Sequence, residues 1–166
     1  MEISDLKCID NNIDIDLYQK YYKYVRDNME HPEWLGTFTN EDIISILNDG
    51  GKIWMYFDND NFVGSVFYMD KVKQSTLEKH NIDCDAKVTS ALGPVIVSPE
   101  YVGNGLQYKM QQVYNEYAKS LGKKYSFTKA HADNIYSIRN ILKDEYTVTH
   151  EYIDDRGPNK AFYKEL

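Results

Sequence analysis

Cysteine is nearly absent from this chain of 166 residues, and basic charge is short in its first half. Two cysteines, Cys8 and Cys84, do not make a disulfide framework. With His31, His80, His131 and His150 they show no metal-ligand spacing, so no metal is expected. No apolar run approaches the ~18 residues of a membrane span. The opening Met1-Glu2-Ile3-Ser4-Asp5 is acidic and lacks the apolar stretch of a secretory leader. Proline is rare (4 residues), and no linker, repeat or low-complexity tract divides the chain, so residues 1–166 read as a single domain. Residues 1–90 hold 9 Lys/Arg against 17 Asp/Glu, and residues 91–166 hold 10 against 9. Such an acidic chain lacks the basic stripe of a nucleic-acid binder. These absences predict a cytoplasmic protein with neither nucleic acid nor membrane as partner. The acidic first half suits a cationic ligand, or simply solubility; the near-neutral second half is the better place for an anionic one.

Hydrophobic residues make up 42% of the chain and charged residues 27%, ordinary globular usage. Leu17, Tyr21, Tyr24 and Val25 fall at helical spacing after Asp14 or Asp16 as cap, predicting a first helix with that face inward. Thr39-Asn40-Glu41-Asp42 reads as a capping-box variant opening a second helix, which buries Ile43, Ile46 and Leu47 and stops at Gly50-Gly51. Strands are predicted at 52–57 and 62–69, joined by Asp58-Asn59-Asp60-Asn61 as a turn. That Asx run lacks the frame of a calcium loop. Residues 71–86 show no clear period. A strand over 87–97 contains Pro94, which removes a ladder donor and predicts a bulge there. Leu106, Met110, Val113, Tyr114, Tyr117, Ala118 and Leu121 mark the clearest helix, stopped by Gly122. A strand at 125–130, a helix from Asn134, a strand at 146–153, a turn over 154–159 and a strand at 161–166 follow. The predicted order is β-α-α-β-β-β-α-β-α-β-β, a mixed α+β sheet with one parallel pair across 92–130.

The chemistry is concentrated at Val95-Ile96-Val97-Ser98-Pro99-Glu100-Tyr101-Val102-Gly103-Asn104-Gly105-Leu106-Gln107. Gly103 and Gly105 allow a tight turn and leave amide N–H groups uncovered at the start of a long helix, where donors and dipole suit a phosphate. An isolated Gly-x-Gly is equally a plain turn. No Gly-Lys-Ser/Thr follows, which excludes a Walker A loop, and Tyr108 stands where a dinucleotide fingerprint needs a third glycine.

This segment resembles the GCN5-related N-acetyltransferase (GNAT) family, whose signature is an apolar strand, an Arg/Gln-x-x-Gly-x-Gly/Ala turn and a long amphipathic helix. Val102 replaces the usual Arg or Gln, and Gln107 the usual small residue. The family's later Asn-x-x-Ser/Ala is matched by Asn134-Ile135-Tyr136-Ser137. The resemblance spans the whole element order and is strongest over 92–146. It implies a mostly antiparallel twisted sheet whose central parallel pair splays apart, flanked by helices. It further implies acetyl-CoA as acyl donor, with Val95, Ile96 and Val97 bonding the pantetheine arm by their backbone as an added strand. Amides from Val102, Gly103, Asn104, Gly105, Leu106 and Gln107 would hold the pyrophosphate, and Asn134 and Ser137 would touch the arm from the other side. Asn134 has a competing reading as a helix cap.

The implied reaction is acetyl transfer to a primary amine on a small molecule or peptide, with the oxyanion held by a backbone N–H near Ile96 or Val97. The acidic first half points to a cationic acceptor, and a homodimer is left open. The family's usual acid is a tyrosine at the position of Ile141, which cannot donate a proton. Tyr136, Tyr146 or water are substitutes, or the thiolate leaves unassisted. The base is unassigned. His131 is a candidate against a competing reading as a packed, hydrogen-bonded residue, and Glu33, Asp83 and Asp85 are carboxylates in bordering segments. Two other readings compete: a catalytically weak acyl-CoA-binding or sensing module, motivated by Ile141, and a fold-only interaction domain, motivated by Val102 and Gln107. Elemental analysis after dialysis is expected to find no stoichiometric metal, and thiol titration two free sulfhydryls per chain; bound zinc or a missing thiol refutes the cysteine and histidine reading.

Overall fold

Local signals set most of the helix boundaries in the computed structural model, which describes residues Met1–Leu166. Asp14 accepts from the Leu17 amide and opens α1 (Ile15–Asp27). Thr39 and Asp42 exchange side-chain and backbone bonds in a complete capping box at the head of α2 (Asn40–Asn48). The longest helix, α4 (Leu106–Ser120), ends with Gly122 at φ 80° and the Lys123 amide donating to Ala118 O, a Schellman-type stop. α5 (Ile135–Lys143) is capped by Asn134, whose Oδ1 accepts from the Ser137 amide. No helix is long and apolar enough to cross a membrane.

Seven strands form one sheet in the order β1-β2-β3-β4-β5-β7-β6, from β1 (Lys7–Ile9), β2 (Lys52–Asp58), β3 (Asn61–Met69), β4 (Thr89–Val97), β5 (Tyr125–His131), β6 (Thr147–Asp154) and β7 (Gly157–Glu165). Every pairing is antiparallel except β4 with β5. One face carries α4 and α5 over a core that includes Val66, Tyr68, Leu92, Leu106, Met110, Ile141 and Phe162. The other carries α1 and α2 over Ile53, Met55, Phe67 and Ile96, and a short helix α3 (Gln74–Lys79) over Ala91, Phe127 and Ala161.

Three expectations change. The buried face of α1 is Tyr18, Tyr22 and Val25, one residue round from the predicted stripe, and Tyr24 is 41% exposed. Tyr22 goes inward because its hydroxyl finds the Gly36 carbonyl. Residues 71–86 contain α3, whose Gln74 side chain closes the following loop by bonding Cys84 O and the Ala86 amide. The last turn is only Asp155-Arg156, and β7 starts at Gly157 rather than 161. Pro158 is tolerated there because it lies at the end of the β5 ladder, just past His131↔Asn159, where its carbonyl still accepts from the Ala132 amide at 2.9 Å.

The parallel pair decides what the sheet can do. β4 meets β5 only at Thr89↔Tyr125, Ser90↔Ser126 and Ala91↔Phe127. Thr128 Oγ1 then donates to Leu92 O at 2.9 Å, taking the place of the next ladder bond. Beyond that point β4 pairs only with β3, across an irregularity at Gly93-Pro94 where the register jumps from Val66↔Val95 to Tyr68↔Leu92. The bulge predicted from Pro94 is present. The two parallel strands therefore separate toward their C-terminal ends.

Behind α3, His80 is buried, with its Nδ1 3.0 Å from His150 Nδ1 and its ring stacked on Phe127. Burial chiefly, then His150, Lys129 and Lys79, lower the His80 imidazolium to about 4. Folding thus favours neutral His80: its contribution is complete above about pH 6.5 and is lost as pH falls toward 4. Between pH 7 and 4.5 the wild type is expected to lose several degrees more of Tm than His80→Gln, at ~2–4 °C per kcal/mol for a chain of this size; equal losses by thermal melts at the two pH values refute the assignment.

Candidate functional site

The separation of β4 and β5 opens a cleft of about 1530 Å³ that passes from one face of the sheet to the other. Its centre is the β4 edge from Gly93 to Val97, which has no partner strand on the β5 side. At one end stand the Gly103–Gln107 turn and the first turn of α4, with Ser137, Asn140 and Ile141 of α5. At the other end, across the sheet, are the segment between α1 and α2 (Met29, Glu30, His31, Trp34, Gly36, Phe38), the Lys71–Lys73 segment before α3, and Arg156.

The glycine turn is built for a backbone contact. Gly103 and Gly105 have φ of 95° and 67°, and a Cβ at either would meet no protein atom within 4 Å. Positive φ explains why glycine is needed; the open space beyond leaves room for a ligand to approach the chain. From Val102 to Tyr108, seven consecutive backbone N–H groups find no acceptor in the protein, and the first bond of α4 is Lys109 N–H to Gly105 O. This is more than the four orphan donors of a helix start, Gly105 to Tyr108, because Val102, Gly103 and Asn104 add theirs. Val102 is 69% exposed and contributes only its backbone. Gln107 turns toward α5 and donates from Nε2 to Ser137 Oγ at 3.0 Å. Val95 and Val97 pack toward α4 while Ile96 packs toward α1 and α2, so the three predicted strand residues straddle the sheet.

The predicted catalytic side chains fall into distinct places. His131 is buried with both ring nitrogens engaged: Nδ1 accepts from the Asp133 amide at 3.1 Å, and Nε2 lies 3.2 Å from Arg156 O, which only accepts. That pairing defines the neutral Nε2–H tautomer and leaves no lone pair for an amine. The packed reading of His131 describes it; the base reading does not fit this arrangement. Ile141 is 3% exposed and sits in the core with Leu106 and Met110 at the cleft wall. Tyr146 is removed from consideration as an acid. Its hydroxyl bonds Ser126 Oγ at 2.6 Å, in a buried chain that continues through Tyr114 to Ser90, and burial holds the phenol well above its ordinary value. Tyr136 does line the cleft and is 68% exposed. Asp83, Asp85 and Glu33 lie outside the lining; Asp85 caps a short 3-10 turn, and Glu33 faces His31 Nδ1 at 3.3 Å. The carboxylates of the cleft are Glu30, Asp133 and Asp155.

Sequence reading missed the wall opposite the glycine turn. Trp34 stacks on His31 with ring centroids 4.5 Å apart, and lies 6.0 Å from the His131 ring. On β5, Phe127, Lys129 and His131 alternate onto the α1–α3 face, a period-2 signal visible in Phe127-Thr128-Lys129-Ala130-His131. Desolvation, and then the neighbouring Arg156, lower the Lys129 ammonium from its ordinary value. Trp34 and Arg156 carried no local signal, because only the folded chain brings their loops together.

No family model and no curated protein matches the sequence. Solved structures do match the fold. A GNAT-family acetyltransferase from Streptococcus pneumoniae superposes with TM-score 0.70 at 14% identity, over 96% of this chain and 100% of that one. The yncA protein of Salmonella typhimurium, solved with acetyl-CoA, gives 0.69 at 16%, over 96% and 94%. A Bacillus subtilis acetyltransferase in complex with CoA gives 0.64 at 12%, over 97% and 99%. The chain has the GNAT fold.

Because the Tyr146 hydroxyl serves the core, Tyr146→Phe is expected to lower stability by ~1 kcal/mol, the net worth of one hydrogen bond. Urea unfolding reads this as a lower midpoint at unchanged m-value; an unchanged midpoint means the Ser126 bond contributes nothing.

Proposed function

We propose that this protein is an acetyl-CoA-dependent N-acetyltransferase acting on a primary amine. One observation carries the reading: seven consecutive unpaired amides, Val102 to Tyr108, stand at the mouth of the gap between β4 and β5. Adjacent N–H groups at the positive end of a 15-residue helix suit a pyrophosphate, and two glycines keep the approach open. The residues present fit the cofactor that the fold implies. Val95 and Val97, whose backbone groups face away from β3, would pair the pantetheine amides along the free β4 edge, whereas Ile96, paired with Ser65 and with its carbonyl against Gly64, is spent on β3. Ser137 and Asn134 would border the arm from α5, and the retained cap of Asn134 keeps that helix in place.

Acetyl-CoA supplies a thioester, whose acetyl group goes to the amine nitrogen as the carbon–sulfur bond breaks. The protein's part is positioning and charge. Of the two amides expected to meet the developing oxyanion, the free β4 edge offers that of Val97, since Ile96 faces β3. The cleft continues to the α1–α3 face, so donor and acceptor enter from opposite faces and meet at the gap. His131 fixes the Arg156 turn against the end of β5 and keeps the acceptor wall in shape. Ile141 offers no proton to the departing sulfur; the thiolate takes one from water, and the amine nitrogen gives up its own to water in the cleft, so the exchange balances without a protein acid. Positioning alone supplies ~7–11 kcal/mol of barrier reduction, enough for a competent transferase without that acid. The through-sheet cleft favours this reading over a binding module, which would need no second chamber. Free Cys8 and Cys84 agree with a protein of the reducing cytoplasm.

Gly105→Val tests the cradle. A branched residue at φ 67° costs roughly 1–2 kcal/mol of backbone strain and meets no protein atom, so the variant is expected to fold. Its side chain would stand where the phosphate approaches, and calorimetry is expected to show CoA affinity at least tenfold weaker. Unchanged affinity in the folded variant refutes the phosphate cradle. Failure of the wild type to release CoA thiol with any amine, despite binding CoA, refutes the transferase and favours the sensing module.

A further inference from the structure

The wall opposite the glycine turn has a charge pattern that the chain as a whole does not. The protein carries a net charge of −7, yet the cleft gathers Lys71, Lys73, Lys129 and Arg156. Lys73 and Lys129 have no carboxylate within ion-pair distance, and the only one beside Arg156 is Asp154, at 3.7 Å. The acidic first half supplies just one carboxylate to the lining, Glu30. With Asp133 and Asp155 also in the lining and Lys71 paired with Asp70 at 3.1 Å, the cleft is close to balanced in charge, not the acidic chamber that a polyamine or aminoglycoside needs.

We infer that the acceptor is an amine bearing a free carboxylate, of the class of apolar α-amino acids, with Arg156 as its carboxylate-binding residue. The inference rests on the transferase reading. Arg156 lies over the α1–α2 segment: a Cβ on Gly36 would come within 2.7 Å of its Nη1, so the absence of a side chain at 36 makes the room that the guanidinium occupies. The bed under it is fixed, since Tyr22 donates to Gly36 O and Arg26 Nε donates to Leu35 O at 3.0 Å. A planar fork held on a rigid bed, weakly paired and open to the cleft, suits a carboxylate. Lys129 adds a second positive charge from β5. Glu30 and Asp155 provide the opposite sign that a zwitterion's ammonium needs before it loses its proton. Met29 and Trp34 give an apolar wall for the side chain. This replaces the cationic acceptor suggested by overall charge, because the acidic residues of the first half mostly lie elsewhere.

The test is CoA-thiol release with three matched pairs: L-leucine and isopentylamine, L-phenylalanine and phenethylamine, L-tryptophan and tryptamine. At least one acid is expected to show kcat/KM tenfold or more above its decarboxylated partner. Arg156→Gln should lower that acid's kcat/KM by about 10–100-fold, the scale of a lost charge-assisted bond, and leave the partner amine within threefold. Gly36→Ala should do the same without removing a charge, since the new methyl displaces only the flexible end of Arg156. Equal use of acid and amine, or a fall on both alike in the two variants, overturns the inference and leaves the transferase standing. If none of the six is turned over, calorimetry on CoA-loaded protein decides, and no preference for the acids overturns it. Failure of CoA itself to bind overturns the transferase reading, and this inference with it.

Discussion

The structure depends on the point at which the β4–β5 ladder stops. Three residue pairs join the strands, and then the Gly93-Pro94 irregularity turns β4 toward β3 while Thr128 occupies the Leu92 carbonyl. A ladder continued to Val97 would satisfy more backbone groups and would close the sheet. Leaving a strand edge unpaired forgoes about 0.5–1.5 kcal/mol for each bond not made. The paired half must therefore be firm. It is crossed by the buried hydroxyl chain Ser90–Tyr114–Ser126–Tyr146, which links β4, α4, β5 and the residue before β6 through contacts of 2.6–2.7 Å. The same chain holds α4 against the fixed half of the pair.

A second polar hub aims that helix. Asp144, buried just past α5, accepts from Gln111, Gln112 and Asn115 of α4 and from Lys164 of β7. A buried carboxylate surrounded by donors is satisfied as a set, and removing one partner leaves a charge stranded at a cost above the worth of the pair. α4, α5 and β7 are thereby held in one relation. With Gln107 bonded to Ser137, α5 is tied to α4 at both of its ends.

What was legible in the sequence was what local chemistry determines. The Thr39–Asp42 box, the Gly122 stop, the Pro94 irregularity and the Gly103–Gly105 turn each need particular residues at particular spacings, and all four stand in the structure. The face of α1 was not legible because tyrosines and aliphatics form two overlapping stripes, and the choice fell to a distant carbonyl at Gly36. α3 is six residues long and is held by Leu77 and the Gln74 bridge, so no periodicity announced it. The run Asp154–Asn159 has turn composition throughout, but pairing with β6 extends β7 back to Gly157. The candidate site divides in the same way. Its glycine end is contiguous in sequence, whereas the chamber joins residues near 30, 72, 129 and 156 that meet only after folding.

The two ends of the cleft also rest on different foundations. The glycine turn is braced by the core under α4 and α5, and the opposite wall by the smaller clusters under α1, α2 and α3. Substitutions far apart with no shared partners act nearly independently. Selection can therefore rework the loops near Trp34 and Arg156 without disturbing the glycine turn. A fold arranged this way lets one end of its cleft change while the other keeps its shape.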